Sequence, residues 1–438
     1  MEVSPLGRRL AQGVLWSVAG QVSARAIGLF SGIFVARLLG RVGFGELGIV
    51  QSTASMFQVL AGTAIGLTTT KHVAEFRNID RVRTGRIIAL SNACSLVIGA
   101  LLAVSLMISA PWLAQHTLAA PRLASLLRVG ALLLFLGAFS GAQSGALSGF
   151  ECFKENAQIA ICSGLLGFPI TVTAVYFWGL HGAVWGLVLS TAVTCAMNSF
   201  SLRRVVKRYQ VPLSLHSSGS ELALLARFSL PTALSGILSA PVYWMCNAML
   251  VNQPGGYSEM GILNAANQWW AALLFLPGML GQVVLPIMTE RLSGQRHDQA
   301  RRLLWAAVGA NLVIIAPIIF LGSFLSHRIM ASYGSQFAGA RLTLIALLVA
   351  AGIQALQAPI FNALIAKGRM WTNLWLIVLW AATILILNAG FVRWGALGVA
   401  SARMMSYVVS SAWVWYLAYR LMSIETTHKL TDSHFATR

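Results

Sequence analysis

Charged residues are scarce in this chain of 438 residues, and acidic residues are the scarcest of all. Charged side chains make up 10% of the sequence and hydrophobic ones 57%, whereas a soluble domain carries about 25% charged residues. Only 12 residues are Asp or Glu, and none lies inside an apolar run long enough to cross a bilayer. The composition excludes an ordinary soluble domain and indicates an integral membrane protein.

Paired cysteines and clustered histidines are also lacking. The five cysteines are scattered without a repeated spacing, and no two of the eight histidines stand four residues apart as metal ligands on one helix face would. The sequence therefore predicts neither a disulfide framework nor a metal site. We expect no cofactor and no catalytic residue.

Apolar runs of about 20 residues, the length that crosses the hydrocarbon core, are abundant. Twelve such runs fit the sequence, at 14–36, 47–70, 87–110, 123–147, 157–178, 182–202, 229–251, 260–287, 303–325, 342–366, 371–392 and 396–419. We predict an all-α integral membrane protein with twelve transmembrane helices.

The basic residues are distributed as orientation signals. Of the 31 Lys and Arg residues, 22 fall in one alternating set of loops and 7 in the other, while Arg25 and Arg403 lie inside spans. The excess of positive charge marks cytoplasmic loops, so both termini are predicted to be cytoplasmic. Because the net charge of +19 is spread over short loops and forms no basic domain, no nucleic-acid partner is expected.

The two halves of the chain resemble each other at an offset of 213 residues. Residues 43–49 match 256–262, and Gly182-Ala183 matches Gly395-Ala396. Two copies of six spans have the same orientation, and the substrate sites of such transporters lie between the copies. The predicted domains are an N-terminal six-helix lobe at 1–208, a cytoplasmic linker at 209–221 and a C-terminal six-helix lobe at 222–438.

Glu46 and Glu259 occupy matching positions in this repeat. One interpretation is a pair of acids near helix N-termini, which the helix dipole favours. The other is a gating salt bridge to Arg37, Arg41 or a further external arginine. The sequence leaves both open.

Arg25 is the most informative single residue, because it lies near the middle of the first span. An arginine at that depth costs about 2.5–3.5 kcal/mol, so it needs a polar cavity or an anionic partner. The alternatives are a structural bond to backbone carbonyls or snorkelling to the interface. We favour binding of a phosphate-bearing ligand, which the guanidinium fork suits.

Amide and indole side chains recur in the first and second spans of each half, and two interpretations of them are open. These side chains either form hydrogen bonds between packed helices or contact the hydroxyl groups and rings of sugars. Arg403, about seven residues into the last span, either snorkels outward or supplies a second cationic contact. The candidate substrate-binding residues are Gln21, Arg25, Gln51, Gln58, Asn247, Asn264, Gln268, Trp269 and Arg403.

The N-terminal stretch resembles a known family. FVARLLG at 34–40, followed by GFG at 43–45, is similar to polysaccharide-unit (O-antigen type) flippases of the multidrug/oligosaccharidyl-lipid/polysaccharide exporter superfamily. Arg41 stands where many relatives have proline. The resemblance implies two six-helix lobes around a central cavity lined mainly by spans 1, 2, 7 and 8, and it implies that Arg25 binds a diphosphate.

The same resemblance implies a multi-pass protein of the bacterial inner membrane that is not an enzyme. It would move a polyprenyl-diphosphate-linked oligosaccharide between leaflets by alternating access, with membrane lipids and other polysaccharide assembly proteins as further partners. A cation or drug antiporter of the same superfamily is the first alternative, although such antiporters use buried carboxylates. A membrane polysaccharide polymerase or ligase is the second, although no external loop here is large enough for its catalytic residues.

Overall fold

The computed structural model describes residues 5–61, 63–214, 238–293 and 297–435. All regular secondary structure in these residues is helical, which confirms the predicted all-α class for the described chain. The α-helices are α1 Pro5–Ala61, α2 Thr63–Phe76, α3 Arg81–Trp112, α4 Leu123–Gly149, α5 Phe153–Arg208, α6 Ser239–Val251, α7 Gly256–Ser293, α8 His297–Phe324, α9 Ser326–Ser332, α10 Arg341–Ala366, α11 Met370–Phe391 and α12 Gly395–Phe435. Short π or 3-10 turns occupy Leu113–Thr117, Ser335–Ala340 and Val392–Trp394.

Eight helical segments of the described chain are long and apolar enough to cross a membrane: Trp16–Gln58, Arg81–Thr117, Leu123–Gly149, Phe153–Arg208, Gly256–Leu292, Asp298–Phe324, Ser335–Ala366 and Met370–Leu417. Three of them measure 43, 56 and 48 residues, about twice the length that one crossing needs. Phe153–Arg208 contains two predicted spans, and each of the other two segments overlaps two. The chain is therefore a multi-pass membrane protein, while the number twelve stays a prediction because part of span 229–251 lies outside the described residues.

Two of the long segments reverse at the same local motif. Gly179 has φ 56° and ψ −131°, and Gly395 has φ 66° and ψ −143°. Each glycine follows a tryptophan, Trp178 or Trp394, that is about two-thirds exposed. A side chain would disfavour this left-handed backbone, so glycine lets an apolar helix break within one residue. Tryptophan at that point suits the membrane interface.

A second glycine, three residues further on, closes each of these turns. A Cβ atom at Gly182 would overlap the carbonyl oxygen of Ala174, and one at Gly398 would overlap that of Phe391. The shared pattern is therefore Trp-Gly-x-x-Gly, with Gly179 matching Gly395. The sequence match paired Gly182 with Gly395, whereas the backbone conformation pairs Gly179 with Gly395. The two alignments of the halves therefore differ by three residues at this turn.

One helix-to-helix hydrogen bond also occurs in both halves. Gln143 of α4 donates to the hydroxyl of Ser199 in α5 at 2.7 Å. Gln357 of α10 donates to the hydroxyl of Ser411 in α12 at 2.8 Å. Both glutamines are buried, and such bonds stabilise helix pairs in a membrane by about 0.6 kcal/mol each. For these two amides, helix packing is the role that the structure shows.

The packing divides the chain into two compact units, Met1–Gly261 and Ile262–Arg438, and the boundary falls inside α7. In the first unit, an apolar cluster joins α2, α3, α4 and α5 around Ile87, Ile88 and Phe150. In the second, a cluster around Met288, Ile360 and Val414 joins α7, α8, α10 and α12. The predicted domains at 1–208, 209–221 and 222–438 stay a prediction, and residues 215–221 of that linker lie outside the described residues.

We predict that Gly182→Val prevents stable folding, because its side chain would collide with the backbone of Ala174. Overpacking of this kind, against backbone that cannot move aside, should cost more than about 3 kcal/mol. Gly309→Val is the matched control, because a Cβ there meets no atom within 4 Å. Thermal unfolding of the two purified variants measures the difference, and equal melting temperatures would contradict the close contact.

Candidate functional site

Arg25 and Gln21 lie on an exposed face of α1. Gln21 donates a hydrogen bond to the hydroxyl of Ser17, one turn earlier, at 3.0 Å. One turn beyond Arg25, a Cβ atom at Gly28 would meet nothing within 4 Å. This polar and small stripe therefore borders open space in the first unit.

The opposite face of α1 packs on α5. The backbone of Ala157 leaves no room for a side chain at Gly20, and Ile27 lies against Gly164. Phe34, seven residues further, meets Phe168 edge-on with ring centroids 5.5 Å apart. Arg25 follows Gly20 by five residues, which places it about 140° around the helix. The guanidinium is thus not sealed inside the packed unit.

Asn247 is buried and joins α6 to α1. Its Nδ2 donates to the hydroxyl of Ser52 at 2.9 Å, while its Oδ1 accepts no hydrogen bond from the described residues. One turn earlier, the Nε1 of Trp244 donates to the hydroxyl of Thr53 at 2.9 Å. Asn247 therefore packs helices together, and its buried Oδ1 has no hydrogen-bond partner among the described residues.

Gln51 and Gln58 are both half-buried on α1. The amide nitrogen of Gln58 occupies the space that a side chain at residue 137 would fill, and residue 137 is glycine. Glycine at this place in α4 thus admits a polar side chain into the helix contact. Neither amide shares a described contact with Arg25, so the structure does not bring these predicted residues into one cluster.

Gln268 and Trp269 of the second unit meet at a tyrosine. The indole of Trp269 donates to the hydroxyl of Tyr333 at 3.1 Å, and that hydroxyl donates to Oε1 of Gln268 at 3.0 Å. Tyr333 is fully buried, whereas Gln268, Trp269 and the nearby Asn264 are half-buried. The tyrosine fixes both side chains of α7, which suits a preorganised surface for a polar ligand.

Arg403 of α12 is buried, with 3% of its surface exposed. Its Nη1 donates to Oδ1 of Asn267 at 2.7 Å, and its guanidinium carbon lies 5.3 Å from the ring centre of Trp270. A charge-assisted hydrogen bond and a cation–π contact together stabilise the cation. The snorkelling interpretation, in which the Arg403 side chain points outward, is therefore wrong. The role of Arg403 in ligand binding stays a prediction.

Both repeat-matched acids form ion pairs. Glu259, in the first turn of α7, lies 2.9 Å from Nη2 of Arg41. Glu46, which is buried, pairs with Arg122. The salt-bridge interpretation is therefore confirmed for both acids as geometry, and a helix N-terminal position applies to Glu259 as well. Their gating role stays a prediction.

These ion pairs flank a close contact between α1 and the first turn of α7. A Cβ atom at Gly45 would overlap the carbonyl oxygen of Tyr257, and one at Gly261 would overlap that of Arg41. The hydroxyl of Tyr257 donates to the carbonyl oxygen of Leu118 at 2.7 Å. Glycine at both points lets the two backbones touch, and the acids and arginines hold them there.

The structure thus distributes the candidate residues over both units, five in Met1–Gly261 and four in Ile262–Arg438. Sequence reasoning missed Tyr333, which lies outside every predicted span and carried no signal. Asn267 follows Asn264 by three residues in the same predicted span, and the sequence indicates it as a polar residue that could line a cavity, but it is not among the nine candidate substrate-binding residues. Within the described residues, no group of three His, Cys, Asp or Glu side chains could hold a metal ion.

Comparison with known proteins identifies the family. Residues 10–292 match the family described as "Polysaccharide biosynthesis protein". The chain belongs to the polysaccharide biosynthesis protein family.

Two curated relatives of this family member come from bacteria. The EPS I polysaccharide export inner membrane protein EpsE of Ralstonia nicotianae is 26% identical over 298 residues, and the match spans 64% of each chain. The lipid III flippase of Escherichia coli K12 is 26% identical over 416 residues, or 91% of this chain and 96% of the relative.

Two solved structures share the fold. An inward-facing multidrug resistance MATE family transporter of the MOP superfamily has a TM-score of 0.74 at 16% identity, covering 94% of this chain and 99% of that one. The lipid II flippase MurJ in an inward closed conformation has a TM-score of 0.72 at 15% identity, covering 93% and 87%.

We predict that reversing one charge of the Arg41–Glu259 pair destabilises this family member and that reversing both restores it. Arg41→Glu places two carboxylates together, whereas Arg41→Glu with Glu259→Arg recreates the pair with opposite polarity. A coupling of about 0.5–3 kcal/mol is expected from a double-mutant cycle of unfolding midpoints. Additive effects of the two single changes would contradict a direct ion pair.

We also predict that Asn267→Leu costs about 1.5–3 kcal/mol, because it removes a hydrogen bond to the buried charge of Arg403. Asn267→Asp is the matched control, since it keeps an acceptor oxygen and adds a counter-charge. Thermal unfolding of both variants is the measurement. If leucine and aspartate at this position give the same midpoint, Asn267 does not stabilise the guanidinium.

Proposed function

We propose that this protein is a flippase that moves a polyprenyl-diphosphate-linked oligosaccharide, an O-antigen or related repeat unit, across the bacterial inner membrane by alternating access. It carries out no covalent chemistry and requires no cofactor. Family membership supports the substrate class, and the exposed guanidinium of Arg25 is the single observation that carries the mechanism.

Arg25 is proposed to bind the diphosphate. It lies on the face of α1 that turns away from α5, in an otherwise apolar segment. A diphosphate offers oxygens to several N–H groups of one guanidinium at once, and charge-assisted bonds of this kind are short and strong. Such a partner would offset the cost of an arginine at that depth in the bilayer.

The sugars are proposed to contact the remaining candidate residues. Asn247 has a buried amide oxygen without a hydrogen-bond partner among the described residues, and Gln21, Gln51 and Gln58 supply further amides. Sugars combine hydroxyl groups with apolar ring faces, which suit amides and indoles together. In the second unit this surface comprises Asn264, Gln268, Trp269 and, as a second cation, Arg403.

Alternating access is proposed to use twelve crossings in two six-helix lobes around a central cavity, at 1–208 and 222–438, with both termini in the cytoplasm. The Arg41–Glu259 and Glu46–Arg122 pairs are proposed to break and form as the external end opens and closes. The lipid tail remains in the bilayer while the headgroup crosses. Membrane lipids and other polysaccharide assembly proteins are the expected partners.

The names of the relatives support this substrate class: one is a polysaccharide export protein, and two are flippases of lipid III and lipid II. The antiporter alternative rests on a fold shared at 16% identity. Among the described residues, the one buried carboxylate is Glu46, and it is already paired with Arg122. No observation therefore favours that alternative.

We predict that Arg25→Ala abolishes translocation and that Arg25→Lys retains part of it, because lysine keeps the charge but loses the planar fork. The measurement is accumulation of the lipid-linked oligosaccharide in the cytoplasmic leaflet of a deletion strain that carries each variant. Protein amount in the membrane must be equal for the comparison.

Arg393→Ala is the matched control for this experiment. Arg393 is also an exposed arginine, but it lies in the turn before α12 and outside the proposed cavity. Full export by Arg25→Ala would overturn the assigned role, as would an equal loss in Arg393→Ala.

A further inference from the structure

Three turns of the first unit meet at one end of its helices. Arg77, after α2, forms an ion pair with Glu151 in the turn between α4 and α5. Arg81, at the start of α3, donates to the side-chain oxygen of Gln210 after α5 at 3.4 Å. A Cβ at Gly85 would overlap the backbone of the same segment. These contacts build a single surface from elements far apart in sequence.

This surface, called the basic face below, is strongly positive. It carries ten cations, against four acids in the same turns and helix ends, which are Glu75, Asp80, Glu151 and Glu155. Three of these acids are engaged within the unit, with His72, with the backbone N–H of Arg83 and with Arg77. The cations are Lys71, Arg77, Arg81, Arg83, Arg86, Lys154, Arg203, Arg204, Lys207 and Arg208.

The pKa of the Cys152 thiol is affected by charges from two segments of this surface. Burial and the carboxylate of Glu155 raise the pKa of its thiol to about 11, while Arg208 and Arg77 act in the opposite direction. The two arginines come from the end of α5 and from the turn after α2, so both lie within electrostatic reach of one sulfur atom. Arg77 and Arg208 are therefore near each other at this end of the unit.

Two arginines of the basic face are stacked on aromatic rings. The guanidinium carbon of Arg83 lies 4.0 Å from the ring centre of Phe76, and that of Arg204 lies 4.1 Å from the ring centre of Phe200. In the exposed Arg204, stacking uses the flat face of the guanidinium and leaves the N–H groups along its edge. Phe200 is 57% exposed, so the Arg204 edge is presented at the surface.

Apolar side chains project beside these cations. Ile79, at the tip of the turn between α2 and α3, is 80% exposed, Val82 is 52% exposed and Leu213 is 50% exposed. In water such exposure would be unfavourable, with about 25 cal/mol lost per Å² of apolar surface. Phe200 lies inside the predicted span 182–202 and one turn before Arg204, and an exposed apolar ring on the membrane side of a cation suits the boundary between phospholipid headgroups and acyl chains.

We propose that the basic face is a binding surface for anionic phospholipid headgroups. Phosphodiester groups are bound by Arg81, Arg204 and Lys207, while the exposed ring of Phe200, one turn nearer the apolar part of α5, lies at the level of the upper acyl chains. The exposed ring of Phe200 on the membrane side of Arg204 distinguishes this surface from one for a free anion or for nucleic acid, neither of which offers acyl chains. The inference does not depend on the proposed cargo.

Lipid retention by the full-length protein tests the proposal. The protein, purified in detergent, is titrated with phosphatidylglycerol or with zwitterionic phosphatidylethanolamine, and bound lipid is counted by native mass spectrometry. The unmodified protein should retain the anionic lipid preferentially. In the triple variant Arg81→Gln, Arg204→Gln and Lys207→Gln, affinity for phosphatidylglycerol should fall about fivefold for each cation removed at low salt, with phosphatidylethanolamine unchanged.

The matched control removes three exposed arginines elsewhere, as Arg328→Gln, Arg341→Gln and Arg393→Gln, and should retain the anionic lipid normally. Equal retention of both lipids by the unmodified protein, or an equal loss in both triple variants, would overturn the proposal. Displacement of the lipid by inorganic phosphate alone would also overturn it in favour of a free-anion site. If the triple variant fails to fold, the unmodified protein provides the test. Its preference for phosphatidylglycerol over phosphatidylethanolamine must weaken between about 50 mM and 500 mM salt, because salt screens the attraction between charges.

Discussion

A polar side chain that is buried within an apolar helix needs a hydrogen-bond or ion-pair partner. This requirement determines how helices pack in both units. The bilayer offers no hydrogen bonds in its hydrocarbon region, so an unsatisfied group costs several kcal/mol. Arg403 is accordingly buried against Asn267, and the buried carboxylate of Glu46 meets Arg122. The amide of Asn247 reaches Ser52 in the neighbouring helix. In each case the partner comes from a different helix or from the turn before one, so satisfying the charge or amide also fixes the packing.

Arg25 is placed differently from these groups, and the role proposed for it rests on that placement. It lies in an apolar segment as Arg403 does, but on an exposed face that turns away from the packed partner helix. The proposal assigns a diphosphate to the guanidinium on this exposed face. A residue needed only for packing would have been expected on the face of α1 that contains Gly20 and Ile27.

The two halves share helix turns and helix contacts, whereas the cation at Arg25 occurs in one half only. The Trp-Gly-x-x-Gly turns at Gly179 and Gly395 share one backbone conformation, and the Gln–Ser bond between helices occurs once in each half. By contrast, Leu238 stands 213 residues after Arg25. The repeated elements are those that turn and join helices, whereas the cation proposed to bind substrate belongs to one copy alone.

The sequence by itself determined the helical class, the membrane location and the exceptional position of Arg25, because apolar run length and the cost of a buried charge are local properties. It also indicated the repeat, but not its register at Gly395, since the structural equivalence depends on backbone angles. Only the tertiary structure decided which polar residues meet. Tyr333 holds Gln268 and Trp269 together, and Arg41 meets Glu259 across 218 positions of sequence. Such pairings depend on how helices pack against one another, which no periodicity within one helix encodes.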